Sequence, residues 1–382
     1  MKQFHINTEI FFGESALDRL YELPFSSILI ITDPFVVSSG MITLMTNRLD
    51  KAHIEYDLFT DVVPDPPVEK VISGVAAALS KKHPCIIGVG GGSAIDTAKA
   101  VRKFATQMDD SYKPYLIAIP TTSGTGSEVT CFAVISNPDE GRKYPLAEEQ
   151  LLPDEAILDE VLVKSVPASV TADTGMDVMT HAIEAYVSTN NNEFSGALAE
   201  KAVEISGQFL IRSYSSCEDT HARRKMHIAS CLAGLAFNSA SLGLNHGMAH
   251  QLGARFHIPH GRANAILLPY IIEFNSGIGL TNRSQREYPS CVKKYCNLAR
   301  ILGVSNMNEV TTIRALISYL HFLNAEMGIP SKVSDACPNL SKEEYDARVD
   351  AMAEAALRDG CTATNPRIPM KPDIIEIYKK IW

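Results

Sequence analysis

The chain has no apolar run near the roughly twenty residues that a membrane span needs, so no membrane partner is expected. It has no excess of positive charge. Lys and Arg number 35 against 44 Asp and Glu, for a net charge of −9. Nucleic acid and anionic membrane surfaces both require a positive field, so neither is an expected partner. There is no C-x-x-C among the eight cysteines, which are scattered, several of them inside apolar runs. They read as reduced thiols in a cytoplasmic protein. Aromatic residues are few (7%), with one tryptophan, and there is no internal repeat or low-complexity tract. The first fifteen residues carry one lysine and then alternate polar and apolar side chains. They read as a strand and not as a signal peptide.

What is present is ample apolar material, 46% of 382 residues, enough for two cores. Before about residue 165, β-branched runs (26–33, 54–59, 85–90, 115–120) alternate with helical patterns (41–52, 68–82 and from Ser93). That alternation predicts a Rossmann-like parallel sheet covered by helices, an α/β domain over 1–165. Beyond Pro167 the strand signals fade. Apolar residues at i, i+3, i+4 dominate 193–214, 221–236, 284–302, 308–326, 342–357 and 373–381. They predict an all-helical domain over 166–382. A cleft between two such domains is a usual ligand site.

"IIGVGGGSAIDTAKA" (86–100) is an apolar strand, a glycine turn and a helix start. Backbone N–H groups at a helix N-terminus favour an anion such as a pyrophosphate. The pattern is neither G-x-G-x-x-G nor a Walker A loop, and a plain βα turn is the bland alternative. "PTTSGTGSEVT" (120–130), after the next strand, adds five hydroxyls and two glycines before Glu128. Two donor-rich loops on neighbouring parallel strands make a dinucleotide the better explanation. Asp33 ends another strand. Its carboxylate could hold a ribose 2′-hydroxyl and favour NAD over NADP, or simply cap the turn before Pro34.

"DTGMDVMTHAIEAYVS" (173–188) sets Asp177 and His181 four apart on an otherwise apolar helix. Such groups are costly there unless they are paired or bound to metal. "NHGMAHQLGARFHIPH" (245–260) holds four of the eleven histidines, with His246 and His250 also four apart and His260 after a turn at Pro259. Three histidines and a carboxylate suit Zn²⁺ or Fe²⁺ and not Mg²⁺ or Ca²⁺. Spacing alone does not say which histidines bind, and His257 could join them, although it reads most simply as a surface residue. A metal-dependent hydrolase without nicotinamide is a second reading, but H-G-M-A-H lacks the glutamate of H-E-x-x-H.

Taken together, "GGGSAIDTAKA", "IPTTSGTGSEVT", "DVMTHAIEAYVS", "LNHGMAHQLGA" and "IPHGRANAILLP" resemble the iron-containing (group III) alcohol dehydrogenase family over essentially the whole chain. The likeness is greatest to short-chain alcohol/aldehyde dehydrogenases of the propanol dehydrogenase type. The resemblance implies a dehydroquinate synthase-like fold with an α/β nucleotide domain and a helical metal domain. It implies Fe²⁺ (or Zn²⁺) on Asp177, His181, His246 and His260, with His250 as the proton-relay or substrate-contact histidine. For NAD(H) it implies Asp33, Asp65, Gly91, Gly92, Ser93, Thr121, Thr122, Thr130 and Lys143. Phe132, Phe237 and Cys361 fall at substrate-pocket positions. Phe132 replaces a polar residue that some relatives use on the cofactor. A homodimer is the oligomer common among such relatives.

The expected reaction is NADH-linked interconversion of a short-chain aldehyde and its primary alcohol. Arg255 and Arg262 depart from the family pattern. Two guanidiniums beside a metal-ligand turn could hold an anionic substrate group, such as the sulfonate of sulfoacetaldehyde. Solvent-facing arginines or links to carboxylates are the alternative.

Overall fold

The computed structural model describes residues 4–137, 142–278 and 289–382, except the side chains at 142, 143 and 289. It divides into two compact units, Met1–Val166 and Pro167–Trp382.

The first unit is built on a six-stranded sheet in the order β1 (Glu9–Phe12), β8 (Glu155–Leu158), β5 (Tyr115–Pro120), β4 (Cys85–Gly90), β2 (Ser27–Thr32), β3 (Glu55–Phe59). Every pairing in it is parallel. Alternation sends Ile28, Ile30, Cys85, Ile87 and Val89 into one apolar core and Leu29, Ile31 and Ile86 into another. Burial on both faces is what near-continuous apolar strands require. Helices α1 (Pro34–Ser38), α2 (Ile42–Lys51), α3 (Val68–Lys81) and α4 (Gly92–Met108) cover it. The chain runs from β2 to β3 at one edge, then crosses back to β4 on the other side of β2. Such a reversal marks the carboxyl ends of β2 and β4 as the usual ligand position in sheets of this kind.

Two elements carry weak sequence signals. Strand β8 is only four residues long and begins with Glu155, a fully buried carboxylate. Its charge interrupts the apolar pattern, and Arg19 satisfies it at 3.2 Å through two nitrogens. The antiparallel hairpin of β6 (Phe132–Asn137) and β7 (Arg142–Ala147) contains a proline and lies apart from the main sheet.

Among the described residues the second unit is built of helices. Its helices are α5 (Ala168–Val187), α6 (Glu193–Ser215), α7 (Thr220–Ala240), α8 (Leu244–Phe256), α9 (His260–Ser276), α10 (Pro289–Ile301), α11 (Glu309–Glu326), α12 (Val333–Ala336), α13 (Lys342–Arg358) and α14 (Lys371–Lys380). The expected helix over 284–302 is observed from Pro289, and 284–288 lie outside the described residues. Fourteen residues of α5 are buried, among them Asp177, His181 and Glu184. A helix enclosed on nearly all sides explains its lack of a polar face. Among the described residues no single helix is long and apolar enough to cross a membrane.

Candidate functional site

Asp177 and His181 lie one turn apart on α5, His246 on the first turn of α8, and His260 begins α9. One ligand atom from each lies within 4.8 Å of all the others. The Nε2 atoms of His181, His246 and His260 stand 3.9, 3.7 and 3.6 Å from Asp177 Oδ1. These separations are too long for hydrogen bonds. They match the edge of a tetrahedron with metal–ligand bonds of about 2.1 Å, roughly 3.4 Å, opened slightly. Asp177, His181 and His246 are buried, whereas the His260 side chain is 43% exposed and marks the open side. Burial alone would raise the Asp177 pKa, but the three imidazoles hold it well below the usual carboxylate range. The set therefore offers one carboxylate and three imidazole nitrogens to a divalent cation, and these donors fit Fe²⁺ or Zn²⁺.

Behind the ligands is a layer of supporting groups that sequence reading did not single out. Glu184 Oε2 accepts from His246 Nδ1 at 2.5 Å, which turns Nε2 toward the ligand set. Burial would lower the His246 pKa, but Glu184 and Asp177 carry it up to about 9. The other Glu184 oxygen accepts from the Asn245 amide N–H at 2.7 Å, so one carboxylate orients a ligand and caps the start of α8. Its sequence signal was available: Glu184 follows His181 by three residues on the same helix face. Asn264, one turn after His260, donates from Nδ2 to Asp177 Oδ1 at 2.7 Å. Asn245 Nδ2 donates to Asn264 Oδ1 at 2.9 Å and fixes which way that amide points. Phe237 of α7, which the resemblance places at the substrate pocket, lies against the His181 ring, with centroids 4.6 Å apart.

His250 belongs to the neighbourhood but not to the ligand set. Its ring stacks on His260 at 5.4 Å, and its Nδ1 donates to Asp359 Oδ2 at 2.8 Å. Burial would raise the Asp359 pKa, but the His250 contact holds it down at about 2. Asp359 Oδ1 accepts from the Cys361 N–H at 2.9 Å, which brings Cys361 beside the same pair. Burial pushes the Cys361 thiol well above its ordinary pKa. Asp359 lies 109 positions from His250, so no local pattern announces it.

The two arginines are placed differently from the anion-clamp expectation. Arg262 forms a two-pronged ion pair with Asp173, both contacts at 3.1 Å, which joins α9 to α5. Arg255 is exposed, and at about 100° per residue nine positions put it on the far side of α8 from His246. His257 is the exposed, left-handed residue that ends α8.

In the first unit, Gly91 caps α4 with no side-chain hydrogen bond to its first N–H groups. Gly90 has φ +147°, and a Cβ there would meet Asp33 Oδ2 at 2.9 Å. The other Asp33 oxygen accepts from Val36 N at 3.0 Å, so this residue both caps α1 and faces the glycine turn. A Cβ on Gly92 would meet the Thr125 methyl at 2.9 Å, while Gly91 has only ordinary contacts with Thr122. Thr121 N donates to Gly90 O at 2.9 Å. The structure thus brings Asp33, Gly91, Gly92, Ser93, Thr121 and Thr122 to one end of the sheet. No side chain caps the first N–H groups of α4, and an uncapped helix N-terminus of this kind favours a phosphate group. Thr130 is buried and engaged by Lys99, and Asp65 is exposed in the loop after β3. Phe132 opens β6. Lys143 pairs with Ser136 in the hairpin, and its side chain lies outside the described residues.

Comparison with known proteins bears on this arrangement. The family described as "Iron-containing alcohol dehydrogenase" matches residues 7–160, and "Fe-containing alcohol dehydrogenase family, C-terminal" matches residues 171–382. The 1-propanol dehydrogenase PduQ of Citrobacter freundii is 44% identical, with all of both chains covered. The NADPH-dependent butanol dehydrogenase of Clostridium saccharobutylicum is 36% identical, covering 100% of this chain and 98% of its own. A crystal structure of a 1,3-propanediol oxidoreductase superposes with a TM-score of 0.91 at 31% identity, with 100% of both chains covered. These relatives are dehydrogenases, so the metal-dependent hydrolase reading is set aside. The chain belongs to the iron-containing alcohol dehydrogenase family and is an oxidoreductase that interconverts alcohols and aldehydes.

Proposed function

We propose that the chain reduces a short-chain, uncharged aldehyde to its primary alcohol, and runs the reverse, with NAD(H) and a divalent ion held by Asp177, His181, His246 and His260. The observation that carries this reading is the convergence of three imidazole nitrogens on Asp177 Oδ1 at 3.6–3.9 Å. An iron or zinc ion bound there supplies Lewis acidity toward a carbonyl oxygen, and NAD(H) supplies the hydride. The balanced reaction is aldehyde + NADH + H⁺ ⇌ alcohol + NAD⁺.

The residues of the chain do the rest. Glu184 keeps His246 in the tautomer that presents Nε2. Asn264 steadies Asp177. Asp359 orients His250, whose half-exposed ring exchanges the reaction's proton with solvent. Phe237 and Cys361 provide the apolar side of the substrate position. Gly91, Gly92 and Ser93 receive the pyrophosphate at the head of α4. Asp33 receives the ribose and repels a 2′-phosphate, which favours NAD(H) over NADP(H). A sulfonated substrate has less support, because Arg255 faces away from His246 and Arg262 is paired with Asp173. A cytoplasmic homodimer remains part of the proposal, and light scattering checks the oligomer.

The test combines metal analysis with an NADH-oxidation screen over acetaldehyde, propionaldehyde, lactaldehyde, 3-hydroxypropionaldehyde and sulfoacetaldehyde. His246→Ala and His260→Ala each lose bound metal and activity together. His250→Gln keeps the metal and turns over at least tenfold more slowly. Full activity with metal retained in both His246→Ala and His260→Ala overturns the ligand assignment.

A further inference from the structure

A buried lysine lies two turns into the helix that follows the glycine turn. Lys99 is fully buried on α4, a place where a methionine would fill the same volume. Burying an ammonium is costly unless its donors are satisfied. Here they are. Nζ donates to Ser127 Oγ at 2.9 Å, to Thr130 O at 2.8 Å and to Phe132 O at 2.7 Å, with Thr130 Oγ1 at 3.2 Å. An ammonium has three protons, so the set is complete. Ser127 Oγ in turn donates to Asp96 Oδ1 at 2.6 Å, and Val134 N donates to the other Asp96 oxygen at 2.9 Å. One turn of α4 therefore holds the segment from Ser127 to Val134 through a relay of charge-assisted hydrogen bonds. These bonds are about twice as strong as neutral ones.

The held segment is the far end of the hydroxyl-rich loop. The near end is tied separately by Thr121 N to Gly90 O, and the middle rests on α4 where Thr125 meets Gly92. A loop anchored at both ends presents its hydroxyls without the ordering cost that a free loop would incur on binding.

We propose that Lys99 is a positioning residue for the dinucleotide: its ammonium locks the Thr121–Thr130 loop against the start of α4 so that the cofactor meets a preformed cradle. This rests on the reading that the first unit binds NAD(H). Lys99 touches no reacting atom, so its loss affects cofactor affinity and not the chemical step.

The experiment measures NADH dissociation constants by cofactor fluorescence, together with kcat and metal content, for wild type, Lys99→Met and the charge-balanced pair Lys99→Met/Asp96→Asn. Arg102→Met is the control, since Arg102 anchors the same helix to Asp154 and Leu152 away from the loop. Both lysine variants raise the NADH dissociation constant at least tenfold. In them, kcat at saturating NADH stays within about twofold and metal content is unchanged. Arg102→Met leaves the constant within about twofold. Should the lysine variants fail to accumulate, Ser127→Ala removes the middle of the relay without stranding a charge, and a threefold or greater weakening is expected. Wild-type affinity in a folded lysine variant overturns the proposal, as does equal weakening by Arg102→Met. Wild type that does not bind NADH at all overturns the cofactor reading as well.

Discussion

Replacing Glu184 by glutamine tests how far the ligand set depends on groups that never touch the metal. The wild-type carboxylate accepts two hydrogen bonds at once, from His246 Nδ1 at 2.5 Å and from the Asn245 amide at 2.7 Å. Glutamine fills the same volume but has one acceptor and one donor end. If its carbonyl keeps the Asn245 N–H, its NH₂ faces His246 Nδ1. The imidazole must then move its proton to Nε2, where the metal should bind. If the carbonyl keeps His246, the NH₂ opposes the Asn245 N–H and the head of α8 loses its cap. Either way one charge-assisted bond, worth about 1.5–3 kcal/mol, is lost or inverted. Supporting groups of this kind change metal affinity by about 10–100-fold, that is about 1.4–2.7 kcal/mol. The assay is competitive chelator titration with Zn²⁺ or Fe²⁺ on metal-stripped protein, with metal content measured after dialysis. Circular dichroism confirms that the variant is folded. Affinity within twofold of wild type in a folded Glu184→Gln protein refutes the tautomer argument.

Other consequences can be checked as directly. Gly261→Ala places a Cβ 2.0 Å from the Asp173 carbonyl oxygen, a backbone atom that cannot yield without separating α9 from α5. Denaturant melts should show a loss near the upper end of overpacking costs, about 3 kcal/mol, with weaker metal retention because His260 moves with α9. Arg255→Ala should leave the ratio of kcat/KM for sulfoacetaldehyde over propionaldehyde within about twofold, and a tenfold drop in that ratio would restore an anion clamp. His227, buried on α7, has its pKa lowered by burial from 6.5 to about 4. The unfolded chain therefore binds the extra proton between these values, and stability is lost as pH falls from about 6.5 to 4, by up to about 3 kcal/mol. His227→Gln should flatten that part of the stability–pH curve, and an unchanged acid limb would count against the assignment.

How much of this was legible varies by residue. The glycine turn at 90–92 and the pairing of Asp177 with His181 are local patterns, and the structure places them where their spacing expects. Glu184 and Lys99 were legible only as charges inside apolar helices. Each signals an obligatory partner without naming it, since the partners come from residues 245–246 and 127–132. The partner of His250 was not legible at all, because Asp359 reaches it from the far end of the chain. Strand β8 was hidden by its own buried glutamate, whose neutralising arginine lies 136 positions earlier.

The sequence by itself determined the alternation of strand and helix, the helix faces, the candidate ligands and the donor-rich loops. Each is set by side chains within a few residues of one another, along periods that the backbone geometry imposes. Spacing alone left open which histidines converge on Asp177, and the family resemblance implied His246 and His260 and not His250; the tertiary structure brings those two to Asp177 and gives His250 a carboxylate partner of its own. It also decided which carboxylates orient which imidazoles. Those choices depend on how α5, α8 and α9 pack, and packing follows the shape of whole apolar faces, which no short segment contains.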